Sequence, residues 1–421
     1  MTVPQADQPL VAAVPLDVLA QIIRWLGVIT PLAVVIGKSP ADIACSSVAA
    51  LFLVHVLLTR DLSWARQDWF LAVLALWAYM ILRALFMPDR MQGLIETLTF
   101  MRYPIFAAAL QTLVLSDAEW RKRTALTAAA ALGLLVADAL LQYVSGRDLT
   151  GRPQFDGRLT AFYHGPRVGI MLAWLALPPF LTLIDLKKYL LAIGFAVLGL
   201  ATILLSGDRM ALLLILLYAG LFGLLIRPAR RTVLIGVPAA GLLAAAIFTL
   251  HPGSFQRQVL STVKTIETLP QTQYGHIWKS ALDIAAAHPL FGTGPGSFNT
   301  VCPDLQYGPL LFDRDAGGPE TRCATHPHNL YLEWLSETGL VGLGLFFVPM
   351  ILIIRRFAAG MRGGPPDWTY AGLFVLFIAR LWPLTAATSF QHAWSGTPFW
   401  LIVGWGLAYG WLPDKQRERQ P

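Results

Sequence analysis

Apolar segments long enough to cross a lipid bilayer recur along the whole sequence, and they constrain the fold more than any other feature. A helix needs about 20 apolar residues to cross the hydrocarbon core. Inside a bilayer, helices and closed barrels are the structures that satisfy their own backbone hydrogen bonds. Twelve segments are predicted to be membrane helices: 16–37, 41–58, 69–87, 94–115, 124–144, 166–185, 189–206, 208–226, 232–250, 328–354, 368–388 and 396–412.

The composition agrees with this interpretation. Of 421 residues, 56% are hydrophobic and 14% are charged, whereas about 25% of residues are charged in soluble domains. We therefore predict an all-α polytopic membrane protein with about 12 transmembrane helices. The chain 1–421 is predicted to form one integral membrane domain, and one large loop, 251–327, precedes the helix 328–354. Short helices are expected in this loop, since residues 275–287 have amphipathic periodicity.

The distribution of Lys and Arg predicts which loops face the cytoplasm. Cytoplasmic loops of membrane proteins carry an excess of these residues. Here they recur in six short segments that fall on one side of the predicted topology: 60–66, 121–123, 187–188, 227–231, 355–362 and 415–419. Both termini are therefore predicted to be cytoplasmic. The formal net charge of +7 follows from this topology, and we expect no nucleic-acid partner.

Two segments on the opposite side are also basic, which the topology does not explain. The long loop carries Arg257, Lys264, Lys279, Arg314 and Arg322. The loop 145–167 is basic through Arg alone, at Arg147, Arg152, Arg158 and Arg167. Any one of these residues is accounted for as solvated surface. Together they predict an anion site, because a guanidinium presents a planar fork of donors to phosphate.

The turn Ser206-Gly207-Asp208-Arg209 lies between two predicted membrane helices on the same side. Asp208 is available to cap the second helix, and Arg209 would open it at the membrane surface. There Arg209 could hold a diphosphate whose lipid stays in the bilayer. The alternative is that Arg209 pairs with Asp208 and holds the turn. His164, on the same side, is expected to form hydrogen bonds at the interface and not to act as a catalyst.

The sequence His326-Pro327-His328-Asn329 places an imidazole where a polar loop becomes a membrane helix. Thr325 is predicted to cap that helix and Pro327 to lie in its first turn. His328 then lies at the water–lipid boundary, either as an interfacial side chain or as a base, since the pKa of histidine is near ambient pH. A metal pair with His326 is a weaker alternative, because no carboxylate follows at a suitable spacing. We expect no metal and no cofactor.

Glu333 and Glu337 lie four residues apart on the same predicted helix and share a face. Ionised carboxylates are costly at that depth, so they are expected either to pair with a base or to handle protons. The candidate bases are Arg83, Arg102 and Arg380. Small residues at 339, 342 and 344 are predicted to let another helix approach closely.

Two of the three cysteines, Cys302 and Cys323, lie in the long loop. They are predicted to form a structural disulfide, which would contribute about 3 kcal/mol by closing the loop. Free thiols or a metal pair are weaker interpretations, because the spacing does not match a zinc motif. Cys45 lies in an apolar span and is expected to pack there.

These residues together resemble the lipopolysaccharide O-antigen ligases, within a superfamily that also contains O-antigen polymerases and bacterial O-linked oligosaccharyltransferases. The family signature of His-Asn, nine residues and Gly-x-x-Gly matches 328–342. The glycine turn with Arg209, the segment 277–298 and the large loop occur in the family's order, so the resemblance covers about residues 150–345. Members often have an Arg just before Trp278, where this chain has Tyr-Gly-His. This leaves open whether His276, Lys279 or another basic residue takes that role.

The resemblance implies transfer of a preassembled glycan from undecaprenyl diphosphate to a sugar hydroxyl of lipid A-core. The reaction would take place on the periplasmic side of the bacterial inner membrane, without a metal and with inversion. His328 would be the general base and Arg209 would stabilise the departing diphosphate. The implied partners are the carrier-linked glycan, lipid A-core and membrane lipids. The implied substrate-binding residues are Arg152, Arg158, His164, Arg167, His276, Lys279 and Asn329.

Three alternatives remain open from the sequence. An O-antigen polymerase would use the same donor and add the glycan to another carrier-linked glycan. A protein O-oligosaccharyltransferase is less favoured, because no further domain is evident beyond the loop. A secondary transporter of an anionic lipid or sugar would also carry external Arg, but transporters of this kind have matched broken helices in two halves, and the sequence shows no such symmetry.

Overall fold

The computed structural model describes residues 15–304, 310–313, 318–321, 323–361, 367–384 and 393–410. These residues form helices apart from one small hairpin, in which β1 (Leu310–Asp313) pairs antiparallel with β2 (Gly318–Thr321). The helices are α1 (Leu16–Ile36), α2 (Lys38–Thr59), α3 (Asp68–Leu85), α4 (Arg90–Phe100), α5 (Arg102–Ala109), α6 (Ala118–Ser145), α7 (Val168–Leu175), α8 (Leu177–Asp185), α9 (Tyr189–Ser206), α10 (Arg209–Leu225), α11 (Arg230–Leu250), α12 (Pro252–Phe255), α13 (Ser261–Glu267), α14 (Gln273–Ala287), α15 (Phe298–Val301), α16 (Leu330–Gly360), α17 (Trp368–Arg380) and α18 (Ala393–Ala408).

The lengths and hydropathy of these helices confirm an all-α polytopic membrane protein. Within the described ranges, seven helices are long and apolar enough to cross a bilayer, namely α1, α2, α3, α6, α9, α16 and α11 with the turn before it. The pair α7 and α8, bent by 45°, brings the count to eight if it forms one span. The predicted count of about 12 is not reached, because α10 and α17 are shorter and residues 90–114 divide into α4, α5 and a π turn.

The core of the helical bundle is aromatic and lies among α3, α5, α16, α17 and α18. Trp69, Phe106, Phe357 and Trp400 have almost no exposed surface. In contrast, α11 lies at the edge of the bundle, and Ile247 is its one buried residue. Apolar side chains exposed in this way on a membrane helix face lipid, because hydrocarbon solvates them as well as a protein core does.

The large loop is packed as a small unit on the start of α16. The helix α14, predicted at 275–287, forms at Gln273–Ala287. Its buried residues Ile277 and Ile284 pack with Phe298 and Cys302, and Leu332 of α16 covers this cluster. The apolar face of α14 therefore packs against protein. The hairpin in this loop was not predicted.

A disulfide joins Cys302 to Cys323 in the structure, with a Cα–Cα distance of 5.8 Å. This distance lies within the range typical of such bonds, about 4.4–6.8 Å. The bond joins the residue after α15 to the segment 323–329, which precedes α16. Cys45 is buried in α2, as expected from its apolar surroundings.

The helix α16 is interrupted at Gly339, which has φ 67° and ψ −172°. Residues 289–298, here called the clasp segment, lie against this kink and bond to the backbone groups on both sides of it. The bonds are Leu340 N to Pro289 O (2.9 Å), Val341 N to Leu290 O (3.2 Å), Thr293 N to Ser336 O (3.1 Å) and Gly294 N to Glu337 O (2.6 Å).

The three small residues of α16 have different surroundings. Gly339 is approached by the backbone of Leu290 and not by a helix. Gly342 lies close to Thr338 of its own helix and to Tyr79 of α3. A side chain at Gly344 would meet open space. The predicted close approach of another helix is therefore found at Gly342 but not at Gly339 or Gly344. At Gly339 the kink needs a residue with positive φ, and the clasp segment fills the space beside it.

Candidate active site

The start of α16 is capped by Asn329 and not by Thr325. The Asn329 side-chain oxygen accepts hydrogen bonds from Tyr331 N at 3.0 Å and Leu332 N at 3.2 Å. Thr325 instead has its hydroxyl 2.9 Å from His326 Nδ1. The predicted cap and the predicted place of Pro327 in the first turn are wrong, since the chain becomes helical only at Leu330.

His328 is held in a rare backbone conformation just before this cap. Its φ is 53°, in the left-handed region that few residues other than glycine adopt. Its ring lies 4.1 Å from the ring of His326 and 5.6 Å from the ring of Tyr274, between ring centroids. His326 is buried, whereas His328 is half-buried. Such strained residues cluster at functional sites, and this one keeps its imidazole fixed and partly accessible.

The turn between α9 and α10 is built around Gly207, whose φ is 66°. Asp208 caps α10, because its Oδ1 accepts from Met210 N at 3.1 Å and from Ala211 N at 3.3 Å. This is the capping role predicted from the sequence. Arg209 does not pair with Asp208 among the described ion pairs, and its Nη1 donates to Thr265 Oγ1 at 3.0 Å.

Two more arginines flank the same turn. Arg158 Nε donates to Ser206 O at 3.1 Å, and Arg257 Nη2 donates to Gly157 O at 3.2 Å. A Cβ atom placed on Gly207 would lie 2.9 Å from Arg257 Nε and 3.8 Å from Arg158 Nε. We call Arg158, Arg209 and Arg257 the arginine cluster. The lack of a side chain at Gly207 therefore leaves room for two guanidinium groups beside the turn.

The arginine cluster carries more positive than negative charge. Burial lowers the pKa of the Arg158 guanidinium, Asp208 opposes this shift, and the positive charges of Arg257 and Arg209 add to it. Arg257 Nε is buried and has no hydrogen-bond acceptor among the described residues. A buried donor without an acceptor costs about 1–3 kcal/mol. Both features are expected of a site whose anionic partner is a ligand.

The other predicted site residues of the loop 145–167 have no described hydrogen bond to the arginine cluster. Arg152 Nη1 donates to Phe162 O at 3.1 Å, within the loop. Arg167 is exposed and lies 4.7 Å from the ring of Trp394. His164 is also exposed. A substrate-binding role for these three residues stays a prediction.

On α14, the candidates that could replace the family's Arg differ in their surroundings. Lys279 is exposed and pairs with Asp283 at 2.7 Å, four residues along the helix. This pair offsets the charge of Lys279, so we do not include it in the proposed site. His276 is half-buried. It lies about one helical turn before Lys279, towards the start of α14, where Tyr274 lies. His276 therefore remains the candidate on α14.

The predicted pairing of Glu337 with arginine is wrong. Its carboxylate accepts from the backbone N–H groups of Gly296 and Phe298. The three candidate bases have other partners. Arg83 donates to Phe291 O and Gly292 O, Arg102 pairs with Asp42, and the buried Arg380 lies over the ring of Trp174. Helical spacing alone could not reveal this, because the donors come from the clasp segment.

One stretch of chain contributes to both the His328 region and the arginine cluster. Arg257 lies in the π turn 256–260, Thr265 in α13 and Tyr274 at the start of α14. The sequence identified Arg209 and Arg158 as site residues but counted Arg257 only among the loop charges. The available signal was its place in the loop just after α11, and the sequence could not show that it folds back onto Gly207.

The described residues contain no group of three or more His, Cys, Asp or Glu arranged to hold a metal ion. The rings of His326 and His328 lie together, the ring of Tyr274 lies beside His328, and the Thr325 hydroxyl lies beside His326 Nδ1. The arrangement provides a fixed imidazole and a set of guanidinium groups. These are the groups needed to remove a proton from a hydroxyl and to stabilise a phosphate leaving group.

Residues 194–347 match the family model described as O-antigen ligase. The matched stretch begins in α9 and ends in α16, so it contains Arg209, Arg257, the large loop and His328. A comparison with curated proteins finds no match. The family match supports glycosyl transfer of the ligase or polymerase kind, with lipid-linked glycans as substrates. The matched stretch, which spans less than half of the chain, is therefore similar to the O-antigen ligase family.

Proposed function

We propose that this protein transfers a preassembled O-antigen glycan from undecaprenyl diphosphate to a sugar hydroxyl of lipid A-core. The transfer takes place on the periplasmic side of the bacterial inner membrane, with both termini in the cytoplasm. The observation that carries the proposal is the arginine cluster at the turn between α9 and α10. Its position suits a ligand with an anionic group at the interface and an apolar chain in the bilayer.

The charge balance of the cluster favours a diphosphate. Three guanidinium groups meet near two carboxylates, Asp156 and Asp208, and Asp208 already accepts two backbone N–H groups. Arg209 and Arg257 each have further N–H groups available for phosphate oxygens. Because a guanidinium binds such oxygens in pairs, the cluster can hold the diphosphate in one orientation and stabilise the charge that develops as it leaves.

His328 acts as the general base in this proposal. Its imidazole takes the proton of the acceptor hydroxyl while that oxygen forms a bond to the anomeric carbon of the donor sugar. The bond from this carbon to the diphosphate oxygen breaks, and its electron pair leaves with undecaprenyl diphosphate. A direct displacement of this kind inverts the anomeric configuration. The ester bond to the diphosphate supplies the driving energy.

Other residues have supporting roles in the proposal. His276 on α14 takes the place of the family's Arg near the diphosphate. Arg152, Arg167 and His164 lie in the loop that carries Arg158, and they contact the glycan or its phosphates. Asn329 uses its side-chain oxygen to cap α16, so its amide N–H groups are the part that faces substrate.

The test is reconstitution with purified components in detergent. The protein is incubated with carrier-linked glycan and with either lipid A-core or a second carrier-linked glycan. We expect the glycan on lipid A-core, joined with inverted configuration at the anomeric carbon. A product formed only on the second carrier would make the protein a polymerase, and a retained configuration would rule out the direct displacement. No product with either acceptor would overturn the proposed function.

A further inference from the structure

Glu337 has a buried carboxylate, and each of its two oxygens accepts a hydrogen bond from a backbone N–H group. Its residue surface is 3% exposed. Its Oε2 accepts from Gly296 N at 2.8 Å, and its Oε1 accepts from Phe298 N at 3.1 Å. Glu337 therefore ties the last residues of the clasp segment firmly to α16 at the turn before its kink.

The clasp segment is also attached to the helices on its other side. Arg83 of α3 donates from Nε to Phe291 O at 2.9 Å and from Nη2 to Gly292 O at 3.0 Å. Gln92 of α4 donates from Nε2 to Gly296 O at 2.9 Å. The segment thus has fixed contacts along most of its length. Because of these contacts, the clasp segment fixes the position of α14, which precedes it, relative to the helical bundle.

The clasp segment follows α14 directly, and α14 leads back to His328. The far end of α14 carries Tyr274, whose ring contacts the ring of His328. Between its ends, α14 packs on the first half of α16 through Ile277, Ile284 and Leu332. The helix α14, the clasp segment and residues 330–338 of α16 therefore form a closed frame. In this frame, His328 lies at the end where α16 begins, and Glu337 lies at the other end, beside the clasp segment.

We infer that Glu337 is a positioning residue for His328, acting through this frame and not by contact with substrate. The inference rests on the proposed function, in which His328 is the base. Loss of the Glu337 carboxylate would leave Gly296 N and Phe298 N without their acceptors and would loosen the kink at Gly339. The first half of α16 and α14 could then shift against each other. A displacement of about 1 Å at a reacting group can lower a rate by about 100-fold.

The test compares Glu337→Ala and Glu337→Gln with the control Glu96→Gln. Glu96 lies beside Gly296, so the control removes a negative charge from the same place without removing an acceptor of the clasp segment. At a temperature well below melting, Glu337→Ala should lower kcat by about 10–100-fold with KM for the donor within about threefold. Glu337→Gln keeps one acceptor oxygen and should be intermediate. Glu96→Gln should stay within about twofold of wild type.

Two outcomes of the kinetic test would overturn the inference. A normal kcat for folded Glu337→Ala would show that the carboxylate serves stability alone. A higher KM for the donor with unchanged kcat would place Glu337 in substrate binding.

Hydrogen exchange gives a readout that does not depend on activity. In Glu337→Ala, the amides of residues 329–332 should exchange faster than in wild type, and in Glu96→Gln they should not. Unchanged exchange at 329–332 would overturn the inference, even if exchange at Gly296 and Phe298 increases. If the wild-type protein transfers no glycan, the proposed function fails, and this exchange experiment still decides whether Glu337 fixes the His328 region.

Discussion

Replacing Gly339 by Ala should destabilise the protein, whereas the same change at Gly344 on the same helix should stabilise it. At Gly339 the combination of φ 67° and ψ −172° is nearly restricted to glycine and would cost an L residue about 1–3 kcal/mol. The new Cβ would also overlap the backbone carbonyl of Leu290, and a backbone group cannot move aside by changing rotamer. The clasp segment would have to retreat from the kink.

The size of the effect follows from the bonds that this retreat would break. Leu340 N and Val341 N donate to carbonyl groups of the clasp segment, and each such bond contributes about 1 kcal/mol net. With the backbone cost, Gly339→Ala should cost about 3–5 kcal/mol. At Gly344 the backbone is helical and a Cβ meets open space, so Gly344→Ala should gain up to about 1 kcal/mol from helix propensity.

Unfolding in mixed micelles, with an increasing fraction of denaturing detergent, measures both variants against wild type. The matched pair removes general effects of a Gly→Ala change in a membrane helix. Gly339→Ala should also lower transfer, since it disturbs the same frame that holds His328. Equal stability of the two variants would refute the account of the kink, because it would mean that neither the left-handed backbone nor the clasp segment matters at this position.

His328→Ala should lower transfer by about 10²–10⁴-fold while the protein still folds, and His326→Ala should be milder; near-normal turnover of His328→Ala, measured with purified substrates, would eliminate it as the base. Arg209→Lys should keep partial activity and Arg209→Ala much less, with the loss in turnover, because a Lys ammonium cannot replace a guanidinium fork; a stable Arg209→Ala with full rate would remove Arg209 from the mechanism. Asp208→Ala should cost about 0.5–2 kcal/mol of stability through the lost cap, and a thermal unfolding scan should separate it from Arg209→Ala, which caps nothing. Transfer should continue in a strong chelator, and activity that returns with one specific metal would favour the His326 and His328 metal pair.

Hydropathy predicted where the helices lie, because crossing a bilayer requires long apolar segments. A helix occurs within every one of the twelve predicted segments. Hydropathy could not predict where a helix breaks, since the residues on both sides of a break are equally apolar. The span 328–354 was predicted as one helix, and Gly339 was assigned to helix contact. The kink depends on hydrogen bonds from a segment about 40 residues earlier, which no local pattern contains.

The arginine cluster shows the corresponding limit for the site. Arg158, Arg209 and Arg257 lie in three different loops, and each is a plausible surface charge by itself. The glycine turn before it makes Arg209 a candidate site residue, and the loop 145–167, which contains Arg158, is basic through Arg alone. It gave no reason to separate Arg257 from the other charges of the long loop.

Arg257 is distinguished by its Nε, which is buried and has no acceptor among the described residues, and burial of an atom is a property of the folded chain. Protein folding rarely brings three like charges together unless something compensates for them, because each pays for desolvation and for repulsion by the others. Asp156 and Asp208 compensate for two charges at most, and Asp208 Oδ1 is used to cap α10. The remaining positive charge is therefore better explained by a bound anion than by the stability of the turn.

Arg257→Ala should accordingly reduce transfer without reducing stability, which is the opposite of the result expected for Asp208→Ala. A loss of stability in Arg257→Ala equal to that in Asp208→Ala would assign Arg257 to the fold and leave Arg158 and Arg209 as the anion site.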